Sequence, residues 1–155
     1  MKLREALEIV QATRAAADRA VYVLGCSSTP SHLQTFLHAT LMTRRPDIDI
    51  QVETTTYGDL LGSLERLYAG GSAGVAAICE WYDLDPRLGF RRLGGWSPSA
   101  FDDIAVTVEN SLGRLRASVE RLARVAPVVI ALPALPLPPL EITAPVQARD
   151  LETRL

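Results

Sequence analysis

Cys26, Ser27 and Ser28 follow directly on an apolar run, Ala20–Leu24, and on Gly25, and Pro30 stands just after them. A glycine and small hydroxyl and thiol residues between an apolar run and a helix-starting proline mark a strand, a tight turn and a helix N-terminus. The peptide N–H groups of such a turn bind anions, and a thiol placed there, here Cys26, loses its proton more readily and becomes a nucleophile. A second group, Glu80, Trp81, Tyr82, Asp83 and Asp85, follows another apolar run, Gly74–Cys79. Its three carboxylates could ligate a metal, or pair with Arg87, Arg91 and Arg92 as solvated ion pairs. Cys79 at that strand end could meet Cys26 as a redox pair, or both could be small buried residues. Trp81, Tyr82, Phe90 and Trp96 would either line a pocket or form an apolar lid.

The elements that must position these groups alternate along the chain. Lys2–Asp18 carries apolar residues at Leu3, Ala6, Leu7, Val10 and Thr13 and predicts an amphipathic cover helix. Ala20–Leu24 reads as a central parallel strand buried on both faces. Thr29 as N-cap, with Pro30 first in the helix, or a Ser31/Gln34 capping box, opens a helix to Thr43 that buries Leu33, Phe36, Leu37 and Leu41. Asp47–Glu53 alternates strictly between apolar and polar, as a half-exposed edge strand does. Leu60–Tyr68 is a short helix ended by Ala69, Gly70 and Gly71, and Gly74–Cys79 an interior strand. Residues 80–97 read as a long loop. Pro98–Val125 reads as one helix of about 40 Å, buried through Phe101, Ile104, Ala105, Val108, Leu112, Leu115, Val119 and Leu122. Pro127–Leu132 is a fourth buried strand. The prediction is an α/β three-layer sandwich with a parallel, flavodoxin-like strand order 2-1-3-4, the last strand of such a sheet being expected to be missing. That order sets the 25–28 turn beside the 80–85 segment. Leu140–Leu155 is too polar for a closing strand, so the domain is expected over 1–140, with 141–155 opening a further helix or a linker.

Composition narrows the function. The 155 residues, 48% hydrophobic and 22% charged, suit one globular domain. With 18 acidic against 16 basic residues and a net charge of −2, no basic field favours nucleic acid. No stretch approaches the roughly eighteen apolar residues of a membrane span, and Ala126–Leu140, the most apolar, is broken by five prolines. Two cysteines are too few for a disulfide framework and suit a reducing, cytoplasmic setting. The turn has neither a dinucleotide nor a triphosphate glycine motif, and no cofactor is expected.

Gly25-Cys26-Ser27 stands where the SGNH, or GDSL-type, hydrolases carry their Gly-Asp-Ser nucleophile block. Gly58 falls at that family's oxyanion-hole glycine, and Tyr82-Asp83 at its Asn-Asp pair. The runs VYVLGCSSTPSHLQTFL, YGDLLGSLERL and EWYDLDPRLGFR resemble, more closely, the amino-terminal SGNH-like domain of FkbH-type proteins. In those proteins a HAD-like domain follows and handles a glyceryl group for carrier-protein-dependent polyketide assembly. The resemblance implies Ser27 as nucleophile, Gly58 as oxyanion donor and Asp83 as a third catalytic residue. It implies a substrate site formed by Gly25, Cys26, Ser28, Glu80, Trp81 and Tyr82, with no metal.

Departures from the family pattern set the functional expectation. Cys26 replaces Asp, Tyr82 replaces Asn, and the closing Asp-x-x-His is absent, while His32 and His38 both fall on the helix after the turn. The chain is therefore expected to be a degenerate domain of a bacterial biosynthetic protein, binding or docking an acyl or carrier-linked substrate, with a downstream catalytic domain as partner. Two alternatives are an active serine esterase or acyltransferase whose His comes from elsewhere, and a flavodoxin-like module that binds a small ligand or a partner.

Overall fold

A computed structural model describes residues 1–12, 18–89, 96–134 and 145–155. The elements are α1 (Leu3–Gln11), β1 (Asp18–Cys26), α2 (Ser31–Arg44), β2 (Ile48–Thr54), α3 (Leu60–Arg66), β3 (Ser72–Ile78), α4 (Trp81–Leu84), α5 (Phe101–Leu122), β4 (Val128–Ala131) and α6 (Pro145–Glu152), with short 3-10 turns at Pro86–Leu88 and Pro98–Ala100. The four strands form one parallel sheet in the order β2-β1-β3-β4, as the alternation of apolar runs and periodic helices predicts.

Successive side chains of a strand point to opposite faces, and β1 shows the consequence. Val23 joins the larger core with Leu60, Leu61 and Leu64 of α3, Val75 and Ala77 of β3, and the buried stripe of α5. Leu24 joins the smaller core with Met42 of α2 and Ile50 and Val52 of β2, against which Ile9 and Val10 of α1 pack. The sheet is thus the middle layer, with α1 and α2 on one side and α3 and α5 on the other. The register aligns the strand ends: Leu24 pairs with Thr54, and Cys26 with Ile78. The carboxyl ends of β1, β2 and β3 therefore reach one rim together.

Several expectations need correction. The first helix stops at Gln11, the expected core position Thr13 lies outside the described residues, and β1 begins at Asp18. Helix α2 starts at Ser31 after Pro30, with no side-chain cap from Thr29. The Ser31/Gln34 box is not formed, because the Gln34 amide donates instead to the Val52 carbonyl at 2.7 Å. Leu33 is exposed, and Ala39 and Met42 are the buried positions of that helix. The expected loop after β3 contains α4, because Glu80 N–H and the Asp83 carboxylate cap one another's turn at 2.7 Å, followed by the 3-10 turn that Asp85 caps.

The long helix begins at Phe101 and ends at Leu122. Its buried positions are Phe101, Ile104, Val108, Ser111, Leu115, Ser118 and Leu122, a regular three- and four-residue stripe. Two serines hold places in that stripe where Leu112 and Val119 were expected, so a purely apolar count reads the face slightly rotated; Leu112 is exposed. The fourth strand is not buried. Val129 is 70% and Leu132 58% exposed, because β4 ends the sheet, and an uncharged run looks the same in sequence whether covered or bare. Helix α6 opens at Pro145, within the 141–155 segment expected to open a helix or a linker, and its Leu151 is fully buried in the larger core.

Candidate functional site

Three loops leave the shared rim, and small residues let them close on one another. Gly25 allows Leu60 to approach: a Cβ there would stand 3.2 Å from Leu60 Cδ1. Cys26 N–H donates to Thr55 Oγ1 at 3.3 Å, and Thr55 N–H to the Leu24 carbonyl at 3.1 Å, so the chain after β2 stays against β1. Gly58 takes φ +77°, a left-handed turn that favours glycine, and its N–H donates to the Ser27 carbonyl at 3.0 Å. Asp59 then caps α3, accepting from Gly62 N–H at 2.9 Å.

Ser27 is the meeting point. Its side chain is wholly buried. The hydroxyl donates to the Asp83 carboxylate and accepts from Leu60 N–H at 3.1 Å. The other Asp83 oxygen accepts from Glu80 N–H. Ser28 donates to the Glu80 carboxylate at 3.2 Å. The turn after β1, the loop after β2 and the start of α4 are thereby joined through two serines and two carboxylates. The predicted neighbourhood of 25–28 and 80–85 is present.

Geometry also limits the chemistry of these groups. A wholly buried hydroxyl has no open side from which an ester carbonyl could approach, and serine needs an adjacent base to react. His38 Nε2 is 2.8 Å from the Ile50 carbonyl on the edge strand, and His32 is exposed on α2. The Gly58 N–H is committed to the Ser27 carbonyl. Cys26 Sγ donates to the Ser28 carbonyl at 3.1 Å, and both cysteines are buried free thiols. Burial, then the charges of Asp83 and Glu80, pushes the Cys79 thiol up to about 12, which leaves it protonated.

Beside Ser27 lies a cleft of about 280 Å³, lined by Gly58, Asp59, Leu60, Tyr82, Asp83 and, from α5, Thr107, Ser111 and Arg114, among others. Arg114 is held by Glu65 at 2.7 and 2.9 Å, and this hydrogen-bonded pairing lowers the Glu65 carboxyl below its usual range. The Arg66 hydrogen bond, at 2.8 Å, does the same for Asp59, assisted by Gly62 N–H. Thr107, Ser111 and Arg114 were missed in the sequence. The available signal was Ser111 itself, a polar residue at a core step of an otherwise apolar stripe.

Compared with protein-family models, with curated proteins and with solved structures, the chain matches none.

The remaining expected site residues divide between cleft and core. Tyr82 lines the cleft. Trp81 packs partly buried on the larger core, and its indole N–H donates to the Ala134 carbonyl at 3.3 Å. Trp96 is buried edge-on to Phe101, at 5.6 Å and 72°. Phe90, Arg91 and Arg92 lie outside the described residues. Asp85 is buried and clamped by Arg87, whose Nε and Nη2 stand at 2.9 and 2.6 Å and whose Nη1 also reaches Asp103 at 2.6 Å. Its carboxylate is thereby committed to an ion pair, the reading that ordinary loop carboxylates favour. Among the described residues no three His, Cys, Asp or Glu side chains cluster as metal ligands. Among them, too, no helix is long and apolar enough to cross a membrane.

Proposed function

We propose that this chain is a degenerate SGNH-hydrolase-like domain of a cytoplasmic biosynthetic protein, binding or docking an acyl or carrier-linked substrate in the cleft beside Ser27 without hydrolysing it. One observation carries the reading: the hydroxyl at the nucleophile position is buried and bonded to Asp83 and Leu60, while the cleft next to it stays open. Leu60, Leu61 and Leu84 supply apolar wall, and Thr107, Ser111 and Tyr82 supply polar atoms. Such a lining suits a short acyl chain carrying one or two polar groups. A catalytic domain acting on the same substrate would lie elsewhere in the protein or on a partner.

The test uses an acyl-pantetheine thioester as the probe, followed by calorimetry and by thiol release. Wild type should bind it without releasing thiol. Thr107→Trp, which fills the cleft, should weaken binding at least tenfold. Ser27→Ala should leave aryl-ester turnover at the same negligible level and lower stability by about 2 kcal/mol, because Asp83 and Leu60 N–H lose their buried partner. At this chain length that loss is roughly 4–8 °C in Tm. Thiol or ester release that disappears in Ser27→Ala would replace this reading with an active serine esterase or acyltransferase. Absence of binding would remove the acyl ligand from the proposal.

A further inference from the structure

Two side chains on the α5 wall of the cleft carry hydrogen-bond donors that their own surroundings do not use. Ser111 is only 8% exposed and sits at a core step of the helix, yet among the described residues its hydroxyl has no hydrogen-bond partner. A serine or threonine inside a helix can return its proton to the carbonyl four residues back, and Thr107 does so, donating to the Asp103 carbonyl at 2.8 Å. Ser111 does not, and it lines the cleft. Arg114 stands three residues on, on the same face of the helix, and lines the cleft as well. Glu65 takes Nε and Nη2 of that guanidinium at 2.7 and 2.9 Å, which fixes its plane and leaves the N–H groups of Nη1 without a partner among the described residues.

The charges around the cleft select what those donors can take. Arg114 is paired with Glu65, and Asp59 with Arg66 at 2.8 Å. Asp83, the remaining charged residue of the lining, has one oxygen on the Ser27 hydroxyl and the other on Glu80 N–H. An anionic group would add to that uncompensated carboxylate, and a cationic one would find it engaged at both oxygens. The group that fits is uncharged. It offers an acceptor to Ser111 and Arg114 on α5, and a donor to Asp59 at the start of α3. The Asp59 oxygens accept from Gly62 N–H and from Arg66, and a carboxylate has lone pairs left after two such bonds. A secondary amide carries this combination, a carbonyl on one side and an N–H on the other.

Taking the cleft as the acyl site proposed above, we infer that Ser111, Arg114 and Asp59 form an amide-recognition site that selects ligands whose acyl group is carried on an amide-bearing arm.

Calorimetric titration of the full chain with one acyl group on two different thiols tests this. The N-acetylcysteamine thioester carries an amide, and the ethanethiol thioester has none. Wild type should prefer the amide probe at least about fivefold, the worth of one net hydrogen bond. Ser111→Ala, and Arg114→Lys, which keeps an ion pair to Glu65, should each reduce that preference to twofold or less, with affinity for the ethanethiol thioester and Tm unchanged. A smaller preference in wild type, or one that survives either substitution, overturns the site. Free pantetheine, which has amides and no acyl group, separates this inference from the reading beneath it. If it binds, loses affinity in the same two variants and is matched by no tighter thioester, the amide site stands and the acyl ligand falls. If neither pantetheine nor the thioesters bind, both fall.

Discussion

Ser27 and Cys79 are the first residues past the adjacent strands β1 and β3, yet the rim treats them differently. Ser27 is buried with its hydroxyl bonded on both sides, which is how a hydroxyl can be buried at little cost. Cys79 is buried beside two carboxylates, and its thiolate would be both desolvated and repelled. Folding therefore holds the Cys79 proton more tightly than the unfolded chain does. The ordinary thiol value is 9.0 and the folded one about 12, so this contribution to stability is fully present below pH 9 and is lost as pH rises towards 12. Denaturant midpoints across that window should fall by up to about 1.4 kcal/mol per pH unit more steeply in wild type than in Cys79→Ala. Parallel slopes in the two proteins would mean that the thiol titrates normally. At this scale the sequence identified which residues gather, since a turn and a strand end were both recognisable. It did not reveal that Ser27 would be sealed, because that depends on where Leu60 N–H and Asp83 arrive.

The first turn of α3 sets the floor of the cleft, and its glycine is held by the cap. A Cβ on Gly62 would stand 2.4 Å from the Asp59 carboxylate that caps the helix and binds Arg66. In an ordinary helix interior, Gly→Ala adds about 1 kcal/mol of stability. Here the gain is offset by losing a cap worth about the same. Gly62→Ala alone should leave Tm nearly unchanged, Asp59→Ala alone should lose about 1 kcal/mol, and in the Asp59→Ala background Gly62→Ala should recover about 1 kcal/mol. Additive effects in that double-mutant cycle would show that the two positions do not interact. Elements with a strong period were legible: the alternation in Asp47–Glu53 placed a strand at an edge, where the structure has β2. The turn of α4 was not, because four residues hold no period and the helix exists through the reciprocal capping of Glu80 and Asp83.

For the molecule as a whole, the carboxyl-terminal helix belongs to the same core as the sheet. Leu151 is fully buried in the larger core, and Arg154 pairs with Asp102 while lying 5.5 Å over the Phe101 ring. Leu151→Ala should cost 2–5 kcal/mol, about the range for a buried leucine, read as a drop in the urea midpoint. A loss under about 1 kcal/mol, the level of a surface substitution, would show that α6 is only loosely attached. The parallel order 2-1-3-4 was determined by the sequence itself, because the strand and helix periods and the one alternating strand leave few arrangements of a twisted sheet. So was the meeting of residues 25–28 with 80–85, which follows from that order. What only the tertiary structure decided is which of those groups remain open: the engaged Ser27 hydroxyl, the contribution of Ser111 and Arg114 from a distant helix, and the exposed side chains of β4. Local pattern records how a residue sits on its own element, whereas exposure depends on what other elements bring against it.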